Sequence, residues 1–235
     1  MKKIFFVVLT LVSVISAEVN FHDEATVDNI GIAGTYPNFR LLDSQAAGIW
    51  FLRGKFPAKW KRIKNDEFEL NDAIQEAYNA LKNIAKSKYN EFINKNASMI
   101  LSVQFGKYDF KTKSFPLEMM TKNSYVRYNG KNLIRALHLY FDNTGEKERK
   151  LSIVPEQAKT FLQKRKGSYG YVDRKIYAKY YFTIKKLDTD VDTINSNVID
   201  NWMIEAPNVK MIGHIYKIEI IDPKTNRVLA IFNKN

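Results

Sequence analysis

Residues 175–186 read KIYAKYYFTIKK. Ile176, Ala178, Tyr180, Phe182 and Ile184 alternate there with Lys175, Tyr177, Lys179, Tyr181, Thr183 and Lys185. A strict period of two marks a β-strand with one buried and one wet face, because successive side chains of an extended chain point to opposite sides. A helix would scatter the same lysines around its circumference. The stretch predicts a strand and raises a functional question. Its Lys/Tyr stripe either grips an anionic partner or only keeps a sheet face soluble and free of edge-to-edge association. Taken alone, the stripe leans to the second reading; a groove shared with another basic region would favour the first.

Working outward, the period changes near Asn96. In ILSVQF (100–105), Leu101, Val103 and Phe105 share one face, and LIRALHLYF (133–141) is apolar on both faces in part, as a central strand would be. VKMIGHIYKIEIIDPKTNRVLAIF (209–232) predicts a hairpin about DPKTN, with Pro223 presetting the turn and Asn226 suited to a left-handed backbone. His214 alternates with Ile212, Tyr216, Ile218 and Ile220, which places it toward the core as a structural histidine.

Upstream of Asn96 the pattern is helical. Ile74, Ala77, Tyr78, Leu81, Ile84, Ala85 and Phe92 recur at helical spacing in 71–95, with Asn71 or Asp72 as the cap and NDEFE (65–69) as a possible extension. SQAAGIWFLR (44–53) predicts a short helix capped by Ser44 and stopped by Gly54. PEQAKTFLQKRK (155–166) predicts another, opened by Pro155 and ended by Gly167, with Ala158, Phe161 and Leu162 as its buried side. Residues 18–40, with turn formers in DNIGIAGTYPNF, read as an extended lead-in. The sum is an α+β domain over 18–235. A mainly helical part covers 18–97, and a sheet-rich part over 98–235 holds about five to seven mostly antiparallel strands and one inserted helix.

The first residues, MKKIFFVVLTLVSVISAEVNF, carry two lysines, a short apolar run and a small-residue exit, the pattern of a secretory signal peptide over 1–17. The run of about 12 apolar residues is shorter than the ~20 a spanning helix needs. The expected mature protein is soluble, without a transmembrane span, and periplasmic or secreted. With no cysteine, the chain can form no disulfide and carry no lipobox acyl group, so core burial alone must hold it together. Apolar residues make up 45% of the chain, which supports a real core. Losing Lys2 and Lys3 lowers the formal charge from +12 to about +10, still strongly basic. Outside the cytoplasm the anionic partners are cell-wall polymers, lipopolysaccharide and lipid head groups. Nucleic acid is disfavoured for want of a supply there.

Two basic-aromatic regions could meet such a partner. RGKFPAKWKRIK (53–64) holds six basic residues and no acid: Arg53, Lys55, Lys59, Lys61, Arg62 and Lys64, with Trp60 among them. The stripe contributes Lys175, Tyr177, Lys179, Tyr181 and Lys185. Lysines between aromatic rings can follow a chain of anionic groups while its rings stack on the phenols. No catalytic, metal or cofactor site is assigned. Nucleophile elbows and phosphate-binding glycine loops do not occur, and the three histidines, His22, His138 and His214, are far apart. DTDVDTIN (188–195) alternates acids as a Ca²⁺ loop does, but Thr193 stands where the loop glycine belongs and Ile199 where its final acid belongs. The alternatives are an envelope hydrolase with convergent carboxylates (Asp66, Glu67, Glu69 and Glu118) or histidines, and a protein-interaction subunit with an exposed apolar patch.

NDEFE (65–69), GKYDFKTKSFPL (106–117), PEQAKTFL (155–162) and YVDRKIYAKYYFTI (171–184) resemble an uncharacterised family of exported bacterial proteins, a domain of unknown function. The resemblance implies bacterial origin and export. It brings no activity and no site residues with it.

Overall fold

The structure, a computed structural model, describes residues 19–145, 149–197 and 205–234. The segment over 1–17 expected to be a signal peptide lies outside the described residues. Among those described, no helix is long and apolar enough to cross a membrane.

The chain opens with a helix, α1 (Glu24–Thr35), where the sequence suggested an extended lead-in. Asp23 caps it by accepting from the amides of Ala25 and Thr26. The glycines read as turn formers serve close packing instead. A Cβ on Gly31 would stand 2.3 Å from Ile134 Cγ2, and one on Gly34 2.3 Å from Thr189 Oγ1. Residues 27–28 and 30–35 are buried, so α1 is sunk in the molecule and lacks the one-sided pattern of a surface helix. A 3₁₀ turn over Tyr36–Leu41 leads to α2 (Ser44–Lys55), whose cap is Asp43 rather than Ser44 and which runs on through Gly54. Pro57 then opens α3 (Pro57–Ile63). The long helix α4 (Glu67–Phe92) starts four residues before Asn71, because Asp66 accepts from the amides of Phe68 and Glu69.

The strands follow: β1 (Asn96–Gln104), β2 (Ser114–Pro116), β3 (Val126–Asn129), β4 (Ala136–Phe141) and β5 (Lys150–Ser152). Then come α5 (Pro155–Gln163), β6 (Lys175–Thr189), α6 (Val191–Asn195), β7 (Asn208–Asp222) and β8 (Arg227–Asn233). The fold is α+β. Its main sheet has six strands in the order β1-β6-β7-β4-β3, with β8 also paired to β7, and β4–β7 is its one parallel pair. The β7–β8 turn carries Asn226 at φ 54°, as the sequence suggested.

The sheet curls until its end strands meet. The Tyr128 hydroxyl on β3 lies 3.6 Å from Met99 Sδ on β1, and the Phe21 ring fills the seam, 5.2 Å from the Tyr128 ring and 6.1 Å from that of Phe182. Burial there pushes the Tyr128 phenol up to about 12. Helix α1 covers the inner face against β6 and β7; α2 and α4 pack beyond it, and α3 touches α2 and α4. At the other end the β2–β5 pair and α5 close the core with Phe105, Phe115 and Phe161. Arg165 is buried among these rings. It donates to Asp222 at 2.5 Å and to the carbonyls of Asp173 and Lys175. That pair ties the start of β6 to the end of β7.

Candidate binding face

The stripe is a strand face, as its alternation requires. Ile176, Ala178, Tyr180, Phe182 and Ile184 are buried, and Lys175, Tyr177, Lys179, Tyr181, Thr183 and Lys185 are exposed or half-exposed. Two irregularities change the outer face from what alternation alone gives. Between Ile184 and Lys186 the register slips by one, so Lys185 and Lys186 both face water and Leu187 returns to the core. A second bulge, in β7, sets Tyr216 and Lys217 together opposite Tyr181.

That second bulge also corrects the placement of His214. Because it reverses the inside–outside phase, the buried set in β7 is Val209, Met211, Gly213, Ile215, Ile218, Ile220 and Asp222. His214 therefore lies half-exposed on the outer side, with Nδ1 2.9 Å from Asp142 Oδ1. Strict alternation counted through the bulge put it inside.

Cross-strand pairing joins the stripe to a broader surface. One row across β3, β4, β7 and β6 is Arg127, His138, Lys210 and Asp188; the next, across β4, β7 and β6, is Tyr140, Ile212 and Lys186. Farther along, Tyr181 stands beside Lys217 and Ser98, and Lys179 beside Glu219 and Ile100. Ammonium groups sit over the phenol rings: Lys217 3.9 Å and Lys179 4.7 Å from the Tyr181 centroid, Lys175 5.5 Å from Tyr177, and Lys210 5.4 Å from Tyr140. Glu219 is the carboxylate inside this cluster. It accepts from the Tyr181 hydroxyl at 2.8 Å and from Lys217 at 3.0 Å. The Tyr181 hydrogen bond first, and Lys217 after it, hold its carboxyl below the usual range. The same pairing with Glu219 raises Lys217. Among the described residues, Arg127, Lys175, Lys179, Lys185 and Lys210 have no carboxylate at salt-bridge distance.

The other basic region lies on the helical layer. Arg53 and Lys55 end α2, and Lys59, Trp60, Lys61 and Arg62 ride on α3 with Lys64 at its C-cap. Lys59 pairs with Glu76 at 2.8 Å and Arg62 with Glu69 at 2.7 Å, both acids of α4. Trp60 is half-buried against the core. Since α3 packs on α2 and α4 while the stripe faces away from the helices, the two regions do not line one groove; the shared-groove argument for a grip is lost, and any grip rests on what β3, β4 and β7 add to the stripe. Lys179 lines a cleft of about 330 Å³ at the seam, with Phe21, His22 and Tyr128.

Several of the remaining sequence candidates already have structural partners. Asp66 is spent as the α4 cap and Glu69 in its ion pair. His22 lies at the seam; His138 packs 4.7 Å from the Tyr125 ring. Asp190 caps α6 through Thr193, and Asp188 holds Asn38 and Lys186. No group of three or more His, Cys, Asp or Glu able to hold a metal occurs among the described residues.

Residues 52–164 match the family model described as "Domain of unknown function (DUF4852)". That stretch runs from the end of α2 just past α5. It holds the first basic region and three of the four motifs noted in the sequence, and it stops short of the stripe. No curated protein and no solved structure matches the chain.

Proposed function

We propose that the protein is an exported, non-catalytic binding protein of the bacterial envelope, which holds an anionic polymer across the outer face of its main sheet. The supporting observation is the uncovered face itself. Its lysines stand in and beside the stripe between tyrosine rings, with Glu219 as the acid at its centre. Residues 175–185 run roughly 30 Å along one strand, long enough for several repeat units of an extended chain. The signal-like first residues support export, and the formal charge, +12 for the full chain and about +10 without Lys2 and Lys3, supports an anionic partner.

Retention of the purified protein on immobilised hyaluronan, polyglycerol phosphate and anionic lipid vesicles tests the reading. Binding is expected at low salt and should fade as salt shortens the Debye length to about 8 Å near 0.15 M. Lys179→Gln with Lys185→Gln should elute at lower salt than Lys55→Gln with Lys61→Gln. Failure of all three supports to retain the protein at low salt overturns the proposal. Earlier elution of the helical pair than of the strand pair would move the site to α3.

A further inference from the structure

At the β4 end of the outer face lies a cleft of about 430 Å³, between the sheet, the 3₁₀ turn and the start of α6. It differs in chemistry from the stripe. Its floor is the row of rings on β4, with His138 and Tyr140 beside Tyr125 at 4.7 and 5.3 Å from it. Burial, and behind it Arg127, lower the pKa of His138 from its ordinary value. Its rim carries acceptors and donors: the carboxylates of Asp188, which also holds Asn38 and Lys186, of Asp190, which also caps α6, and of Asp192, with Asn38 at the turn and the Lys210 ammonium over Tyr140. The volume is that of a small-molecule site. A phosphate-only or lipid ligand suits it poorly, since carboxylates repel the first and a polar rim is wasted on the second. Hydroxyl groups suit the rim, because carboxylates and an amide accept from them while a ring face offers a flat apolar floor.

We propose that this cleft is a subsite for one neutral sugar ring of an acidic glycan. The ring lies along Tyr140 and His138 where Tyr125 and the Lys210 ammonium leave them open, and its hydroxyls bond the remaining lone pairs of Asp188 and Asp190. The charged neighbours of that sugar then fall over Lys210, Arg127 and Lys186, continuous with the stripe. The inference rests on the polymer-binding reading and narrows its ligand from any polyanion to a glycan that alternates charged and neutral units.

Isothermal titration of the intact protein with a hyaluronan oligosaccharide and with inorganic polyphosphate of matched charge separates the two claims. Hyaluronan should bind more tightly than polyphosphate at 0.15 M salt. Tyr140→Ala should weaken hyaluronan about tenfold and leave polyphosphate unchanged, since ring stacking is lost and charge is not. Tyr140→Phe should stay within about twofold of the parent, which guards against a folding defect, and Lys210→Gln should weaken both polymers. Polyphosphate binding with no preference for hyaluronan, or with Tyr140→Ala moving neither, overturns the sugar subsite and leaves polymer binding standing. Silence from both polymers at low salt overturns both.

Discussion

Residues 53–64 and 175–186 are nearly interchangeable as compositions, basic and aromatic, yet they make different surfaces. On the helical layer, α3 turns its cations toward α4, and two of the six basic groups find Glu69 and Glu76. On the sheet, the pleat sends every second residue outward in a line, and the neighbours across the strands are mostly uncharged, Ser98, Ile100, Ser102, Gln104 and Ile221 among them, with Glu219 as the one carboxylate opposite 175–183. Packing one helix on another brings acids to bases wherever the sequence supplies them. Pairing strands brings to each residue only what the register places opposite. The register here leaves Lys175, Lys179 and Lys185 over tyrosines and water.

The largest expected effect lies beneath the stripe, not on it. Arg165 holds the start of β6 and the end of β7 through a pair whose side chains are 1% and 11% exposed. Arg165→Met should cost about 3–5 kcal/mol in urea unfolding, because Asp222 is left without its charge partner. The helical layer has no equivalent among the described ion pairs, so a comparable loss from Arg62→Met would break the comparison. Next is Gly213→Ala, whose Cβ would meet the Phe182 and Phe141 rings at 2.7 and 2.8 Å. Overpacking of that kind costs about 1–3 kcal/mol, and it should shift the denaturation midpoint while leaving polymer retention per folded molecule unchanged. Smaller again is the Lys217–Tyr181 contact, where a double-mutant cycle should read about 0.5–1 kcal/mol.

Acid pH tests the same cluster. The folded Glu219 carboxyl titrates below its ordinary value, so its contribution is complete above the unfolded glutamate range and fades as pH falls through the depressed folded value. The stability of the parent and of Glu219→Gln should therefore differ at neutral pH and converge in acid. A gap that stays constant from pH 7 to pH 3 would remove Glu219 as the charged centre of the face.

Much of the fold was legible because its signals are local. Alternation in β6, the Pro-led start of α5 and the Asn226 turn each need a few neighbouring residues. The misreadings share a cause in events at a distance. Gly31 and Gly34 look like turn formers until Ile134 and Thr189, more than a hundred residues away in sequence, are seen against them. His214 was read through a bulge that only the pairing with β6 reveals. Asp43 and Asp66 displaced the expected caps by one and several residues, an ambiguity inherent in runs such as DS and NDEFELND. For the candidate face, the stripe was visible, whereas Lys210, Lys217, Tyr140 and Arg127 were not. They reach it from β7, β4 and β3, and no spacing within one segment announces a register between segments.

The faintest effect bears most directly on why two similar sequences differ. The Lys59–Glu76 pair is 39% and 70% exposed, so a double-mutant cycle should return only about 0.2–1 kcal/mol, shrinking further in salt. Its consequence for binding should exceed its consequence for stability. Glu69→Gln with Glu76→Gln would strip α4 of the two acids that face α3, leaving Lys59 and Arg62 uncompensated while the fold stands. If pairing with α4 is what silences the helical region, this variant should gain retention on the anionic supports at low salt, toward that of the stripe. If retention does not change, local neutralisation is not the difference. The aligned tyrosines and lysines of the pleated face would then have to carry it alone.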